Sequence, residues 1–136
     1  MVELLSGFPS YVAAYRASGV VNPREYETIV MNKVNEVARE YGMINLLFRL
    51  ETDLGNYSVG ALFKYLKISF RHFFRWNRMA IVSDQGWVRK GYKILSPLVH
   101  GQIRGYRLAE FEKARQWVSA DPRKKKNRNM RSKDII

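Results

Sequence analysis

Two groups of basic residues are the parts of this sequence best suited to do chemistry. Lys64, Lys67, Arg71 and Arg75 follow one another at spacings of three and four, Arg78 comes next, and no acid stands among them. On a helix turning about 100° per residue they share an arc of about 80°. Leu62, Phe63, Leu66, Phe70, Phe73 and Phe74 fall on the opposite side, Ile68 lies inside the cationic arc, and Tyr65 and His72 stand at its edge. The second group repeats the pattern: Arg89, Lys90 and Lys93 share one face, and Trp87, Val88, Gly91, Tyr92, Ile94 and Leu95 the other. The chemistry such stripes offer is non-covalent capture of an anion. A solvated helix face is the plain alternative, but ordinary surfaces intersperse both signs, and like charges at helical spacing repel. The inner faces read first as core packing.

Two anionic partners fit. Nucleic acid would take Lys and Arg on its phosphates, with Tyr65 or Trp76 stacked on bases, and that needs exposed aromatics. A bilayer surface would take the same cations at its headgroups, with Phe and Trp at the helix edges dipping into the acyl boundary. Aromatic residues inside and basic residues outside favour the membrane.

Covalent catalysis has little to work with. There is no cysteine, hence no disulfide or thiol chemistry, and His72 and His100 are the only histidines. No G-x-S-x-G elbow occurs. Ser83 and Asp84 with a distant histidine make a poor triad, and Asp84 reads better as a helix cap. Glu51 and Asp53 could pair as acid and base but read as solvated turn residues. His72 reads as a half-exposed helix residue and His100 as a loop residue. Gly55, Gly60, Gly86 and Gly91 are scattered and form no phosphate-binding loop. The expectation is a non-enzymatic protein without a metal or cofactor.

The elements that would carry these residues can be read from pattern. At 136 residues the chain suits one domain. "VELL", the turn "SGFPS" and "YVAAYRASG" read as two strands with a short connection. Asn22 caps a helix, with Pro23 at its first position and Glu25 placed as in a capping box. Tyr26, Ile29, Val30, Val34, Val37, Ala38 and Tyr41 keep helical spacing, and Gly42 stops the helix. "MINLLFRLE" reads as a strand covered on both faces. A second helix is expected from Ser58 to about Trp76, a strand over "MAIVS", a third helix from Asp84 to about Leu95, a strand over "QIRGYRL" and a last helix over "AEFEKARQWV". Helices alternating with apolar strands imply right-handed crossovers and a mostly parallel sheet.

The net charge of +12 is uneven. Residues 1–63 carry −2, 64–107 carry +9, 108–120 balance, and 121–136 carry +5. The basicity is thus a folded patch plus the tail "DPRKKKNRNMRSKDII", which lacks an apolar period and reads as disordered. The start of the chain lacks a signal-peptide pattern, and no apolar run reaches the length of a membrane span. The expectation is a cytoplasmic protein whose membrane contact, if any, is peripheral at the inner face.

The pieces "VELLSGFPSYVAAYRASGVVNPREYETIV", "LLFRLE" and "RWNRMAIVSDQGW" resemble the bacterial STAS/SEC14-type domains called SpoIIAA-like, over about residues 1–120. The resemblance implies a single α/β layer, helices over a five-stranded sheet. It brings two functional expectations. One is that the second and third helices swing outward over an apolar pocket for a lipid-like ligand, as in SEC14 lipid-transfer proteins. The other is a regulatory protein-binding role, as in anti-sigma-factor antagonists, which carry a phosphorylatable serine in a pattern like Asp-Ser-Ser-Gly. Here "YSVG" places Ser58 at the serine and Gly60 at the glycine, with Tyr57 replacing the acid. Ser58 is then a candidate phosphosite, against its plainer role as a helix N-cap.

Together these readings give an α/β single-domain STAS/SEC14-like fold over 1–120, a five-stranded mostly parallel sheet with about four helices, and a basic tail over 121–136. The leading functional expectation is an apolar or lipid-like ligand held by Phe63, Leu66, Phe70, Phe73, Trp87, Tyr92 and Leu95. With it comes docking on anionic membrane through Lys64, Lys67, Arg71, Arg75, Arg89, Lys90 and Lys93. A regulatory protein partner and nonspecific nucleic-acid binding are the alternatives.

Overall fold

The computed structural model describes residues 1–70, 76–84, 86 and 101–121. Five strands, β1 (Val2–Leu4), β2 (Val12–Ala17), β3 (Ile44–Leu50), β4 (Trp76–Val82) and β5 (Gln102–Tyr106), form one sheet in sequential order. β1 runs antiparallel to β2, and all later pairs are parallel. Among the described residues there are three helices rather than four. The first, α1, spans Pro23–Tyr41 in three consecutive segments. The second, α2, is Asn56–Phe70. The last, α3, is Phe111–Val118, entered through a 3-10 turn at Leu108–Glu110. The expected third helix falls in residues outside the described set, apart from Asp84 and Gly86.

The ends of α1 follow from its sequence. The Asn22 side chain accepts from the Glu25 amide at 2.8 Å, with Pro23 inside the cap. The reciprocal half of the expected capping box is not made: the Glu25 carboxylate accepts instead from the Val2 amide at 2.7 Å, which ties β1 to the helix. Gly42, at φ 72°, ends the helix in the left-handed conformation that glycine adopts without a Cβ penalty. Between these ends, Tyr26–Met31 is π-helical. The buried Tyr15 hydroxyl donates to the Val30 carbonyl in that segment at 2.7 Å, a side-chain partner of the kind that disturbs the regular ladder.

Alternation along the strands divides the molecule into two cores. On one face, Ala13, Tyr15, Leu46, Phe48, Met79 and Ile81 meet Tyr26, Val30, Val34 and Val37 of α1 and Val59, Leu62, Phe63 and Leu66 of α2. Tyr15 and Phe48 stack there, rings 5.2 Å apart. Each fully buried side chain of this kind stabilises the fold by about 1.5–3 kcal/mol. On the other face, Val12, Ala14, Leu47, Ala80 and Val82 pack under Ala114 and Val118 of α3. β3 is covered on both sides, as its sequence implied, with Ile44, Leu46, Phe48 and Leu50 toward the larger core and Leu47 between Asn45 and Arg49 toward α3.

Two expectations fail at the junction of α2 and β4. Trp76, expected at the end of the second helix, is the first residue of β4 and is buried. Arg78, expected at the far end of the cationic stripe, lies two residues into the same strand, on the α3 face. The helical apolar period runs on into β4 by coincidence of residue types, so periodicity overshot the boundary. β5 starts after Gly101, where a Cβ would come within 2.0 Å of the Asn77 carbonyl oxygen; only glycine fits that approach.

Candidate functional site

In an open parallel sheet, the carboxyl ends of the strands gather the loops that carry function. Here that end brings together the turn after β2, the turn after β3 and the start of α2. The Gly55 amide donates to the Gly19 carbonyl at 3.2 Å, and the Ser58 hydroxyl accepts from the Val21 amide at 3.1 Å. Val59 donates to the Gly55 carbonyl at 3.0 Å, so Gly55 stands at the cap and Ser58 within the first turn. Ser58 is therefore not the N-cap expected from sequence. Its hydroxyl, in a side chain 2% exposed, holds the β2–α1 loop against α2. Its neighbours behave oppositely. Tyr57 is 87% exposed, and Val20, next to Val21, is 73% exposed. An apolar pair thus stands in water on either side of the Val21–Ser58 contact, where a lone surface Tyr or Val would be unremarkable.

The expected cationic stripe is only partly visible. Lys64 and Lys67 are exposed on α2, with exposed Ile68 beside Lys67. Phe63 and Leu66, expected in a pocket wall, are 3% and 1% exposed and pack in the core against the sheet. Tyr65, considered for base stacking, leans on Tyr26 with ring centres 5.3 Å apart. Phe70 ends α2, and its side chain lies outside the described residues. Arg71, Phe73, Arg75, Trp87, Arg89, Lys90, Tyr92, Lys93 and Leu95 also lie outside them.

Under α3 the structure assembles polar groups that sequence reading did not connect. Asn45 donates to the carbonyls of Val118 (2.7 Å) and Ala120 (3.0 Å), and Asn77 donates to the Asn45 side-chain oxygen at 3.0 Å. These bonds satisfy carbonyls at and just beyond the helix end that have no intrahelical donor. Glu51, read as a solvated turn residue, instead accepts from Arg16 Nε at 2.9 Å and Arg49 Nε at 2.7 Å. Partial burial pushes its carboxyl upward, but the two arginine hydrogen bonds and their charges outweigh that and hold it below the usual glutamate range. The carboxylate of Asp84, expected to cap a helix that follows it, accepts from the Leu108 amide at 2.8 Å, at the entry to α3.

Further along the same face, Arg78 donates to the Trp117 carbonyl at 2.7 Å. Its guanidinium lies 5.0 Å from the centre of the Trp117 ring, and that of Arg104 lies 4.9 Å from it. Neither arginine has a carboxylate partner among the described residues, and Arg78 Nε is buried without an acceptor there. Burial first, and Arg104 second, pull the Arg78 guanidinium below its ordinary value. The signal in the sequence was only "RWNR" and "IRGYR"; which strands meet Trp117 is a long-range fact.

The sequential, mostly parallel five-stranded sheet with helices on both faces has the layout of a STAS-type domain. The family model described as SpoIIAA-like matches residues 12–119, and the chain belongs to that family. No curated protein and no solved structure matches it significantly. Among the described residues no helix is long and apolar enough to cross a membrane, and no group of His, Asp and Glu is arranged to hold a metal ion.

Proposed function

We propose that this chain is a non-enzymatic regulatory module that acts by binding another protein, in the manner of anti-sigma-factor antagonists. The docking surface is the carboxyl end of the sheet, where Val20 and Tyr57 flank Ser58. The observation that carries this reading is the exposure of those two apolar side chains beside a loop contact that is itself buried. Burying both against a partner would contribute a few kcal/mol, about the weight of a small interface centre.

Ser58 couples to this surface. Its hydroxyl is the acceptor that positions Val21, so a phosphate there must displace the loop carrying Val20. The first turn of α2 tolerates the added negative charge. Tyr57 stands where the related antagonists carry an acid, so docking is the primary role and modification the secondary one.

The lipid and membrane reading has less behind it. Its described pocket residues, Phe63 and Leu66, are core residues, and family membership points to a regulatory role.

The test is site-specific photocrosslinking from position 57 in the cells that make the protein, with mass spectrometry of the adduct and of Ser58. One protein partner should dominate and be lost in Val20→Ser, with circular dichroism unchanged. Adducts to lipid alone, or a protein adduct indifferent to Val20→Ser, would overturn the reading.

A further inference from the structure

The two edges of the sheet differ in how they are closed. β1 is three residues long, and its Val2 amide is taken by the Glu25 carboxylate. β5 is five residues long, and among the described residues no strand lies on its outer side. The amide and carbonyl of one residue in a strand point the same way, and successive residues alternate. The Tyr106 carbonyl accepts from the Ser83 amide at 2.8 Å, on the β4 side. Gln102 and Arg104 therefore also turn their backbone groups toward β4, and Ile103 and Gly105 turn theirs outward. The next outward amide, Arg107, is taken by Glu110 at 3.0 Å, which ends the open stretch.

Beside that stretch stands positive charge with no carboxylate partner among the described residues. Arg104 is exposed on the α3 face, and Arg78 lies behind it, both against Trp117. Arg16 and Arg49 share Glu51, and Arg115 pairs with Glu112. Among the described residues, Arg78 and Arg104 have the Trp117 indole, and Arg78 also the Trp117 carbonyl; neither partner carries a net charge.

We propose that the outer edge of β5 is a docking strip for an extended acidic segment of a partner protein. The segment adds as a sixth strand on the backbone groups of Ile103 and Gly105, and its carboxylates face Arg104 with Arg78 behind. The sign of the charge selects this occupant. The chain's own residues 121–136 carry +5 and are repelled. A second copy pairing edge to edge about a two-fold axis through the strand centre would set Arg104 against Arg104, and like charges directly opposite are destabilising. Positive charge on an edge also guards it against self-association, and the same guard admits an acidic strand. This surface is separate from the Val20–Tyr57 end and would serve a second contact or a second partner.

The experiment titrates the full chain with two eight-residue peptides, one alternating Val and Glu and one alternating Val and Lys, while following backbone amide resonances. The Glu peptide should shift Ile103 and Gly105 most and bind at least tenfold tighter than the Lys peptide. Gly105→Pro should abolish binding with the fold intact, because proline is tolerated where a strand amide faces outward. Arg104→Glu should reverse the preference between peptides and needs no backbone change. Three results would each overturn the proposal: no binding of the Glu peptide, binding indifferent to both substitutions, or a homodimer that already protects the Ile103 and Gly105 amides.

Discussion

The sheet face under α3 carries two pairs of arginines, and they are neutralised in different ways. Arg16 and Arg49, from β2 and β3, converge on one Glu51 oxygen, with Glu3 3.5 Å from Arg16. Phe111 covers Arg49, whose guanidinium lies 4.9 Å from the ring centre. Arg78 and Arg104, from β4 and β5, share Trp117 and, among the described residues, no acid. Each pair has an aromatic lid from α3, so the lid does not explain the contrast; the carboxylate does. An ion cluster closed on itself holds strands and helix together and leaves little field outside. A cation pair under an indole is held by packing, and its field remains open to whatever approaches β5.

The largest effect should come from removing the second lid. Trp117→Ala loses the ring that packs on Tyr106 (centres 6.3 Å apart) and on both guanidiniums. It leaves Arg78 and Arg104 without their lid and, among the described residues, without an acid. We expect a cost of about 3 kcal/mol in a urea titration, the low end for large aromatics because the ring is only half-buried. Phe111→Ala should cost about 1 kcal/mol less, since Glu51 still holds Arg49. Equal losses would show that the carboxylate contributes nothing and would dissolve the contrast.

A smaller effect tests the first pair directly. Glu51→Gln removes the shared charge and should cost about 1 kcal/mol at neutral pH, the scale of a partly exposed ion cluster. The sign with pH follows from the carboxyl being held below its ordinary value in the folded state. Its contribution is fully present above the unfolded glutamate range, near about 4.3, and is lost as pH falls through the lower folded value. The difference between wild type and Glu51→Gln should therefore be constant from about pH 8 to about pH 5 and close in more acid solution. Arg78→Gln, with no carboxylate involved, should show no such closure. A Glu51→Gln difference that persists at low pH would mean the cost is packing.

How legible these regions were follows from the range of the contacts. Asn22, Pro23 and Gly42 act within a turn of where they stand, and the ends of α1 could be read from them. The continuous apolar run of "MINLLFRLE" announced a strand covered on both faces, and the parallel order followed from helices between strands. Trp76 was misplaced because a helical apolar period continued into a strand, a coincidence that no local rule detects. Asn45 and Glu51 were read as strand and turn residues. Their partners lie on other elements: Val118 and Ala120 for Asn45, and Arg16 with the nearer Arg49 for Glu51. That Ser58 stands at the start of the second helix was legible from "YSVG", but its bond to Val21 was not. That bond depends on how the β2–α1 loop meets α2, which only the packed sheet determines.

The smallest expected effect is also the sharpest for the second pair. Arg104 is exposed, so Arg104→Gln should change stability by no more than about 0.5 kcal/mol. Two contributions oppose each other there: the lost cation–π contact with Trp117, and the relieved repulsion of Arg78. Salt separates them, because screening weakens charge–charge repulsion while packing on the indole persists. In dilute buffer the variant should equal or slightly exceed wild type. At about 1 M salt, where the screening length is about 3 Å, wild type should gain relative to the variant and become the more stable of the two. The measurement is a pair of thermal or urea transitions at each salt concentration. A variant that is less stable in dilute buffer and unchanged by salt would mean that the two arginines do not feel each other. The β5 edge would then lack the open positive field that distinguishes it from the closed cluster around Glu51.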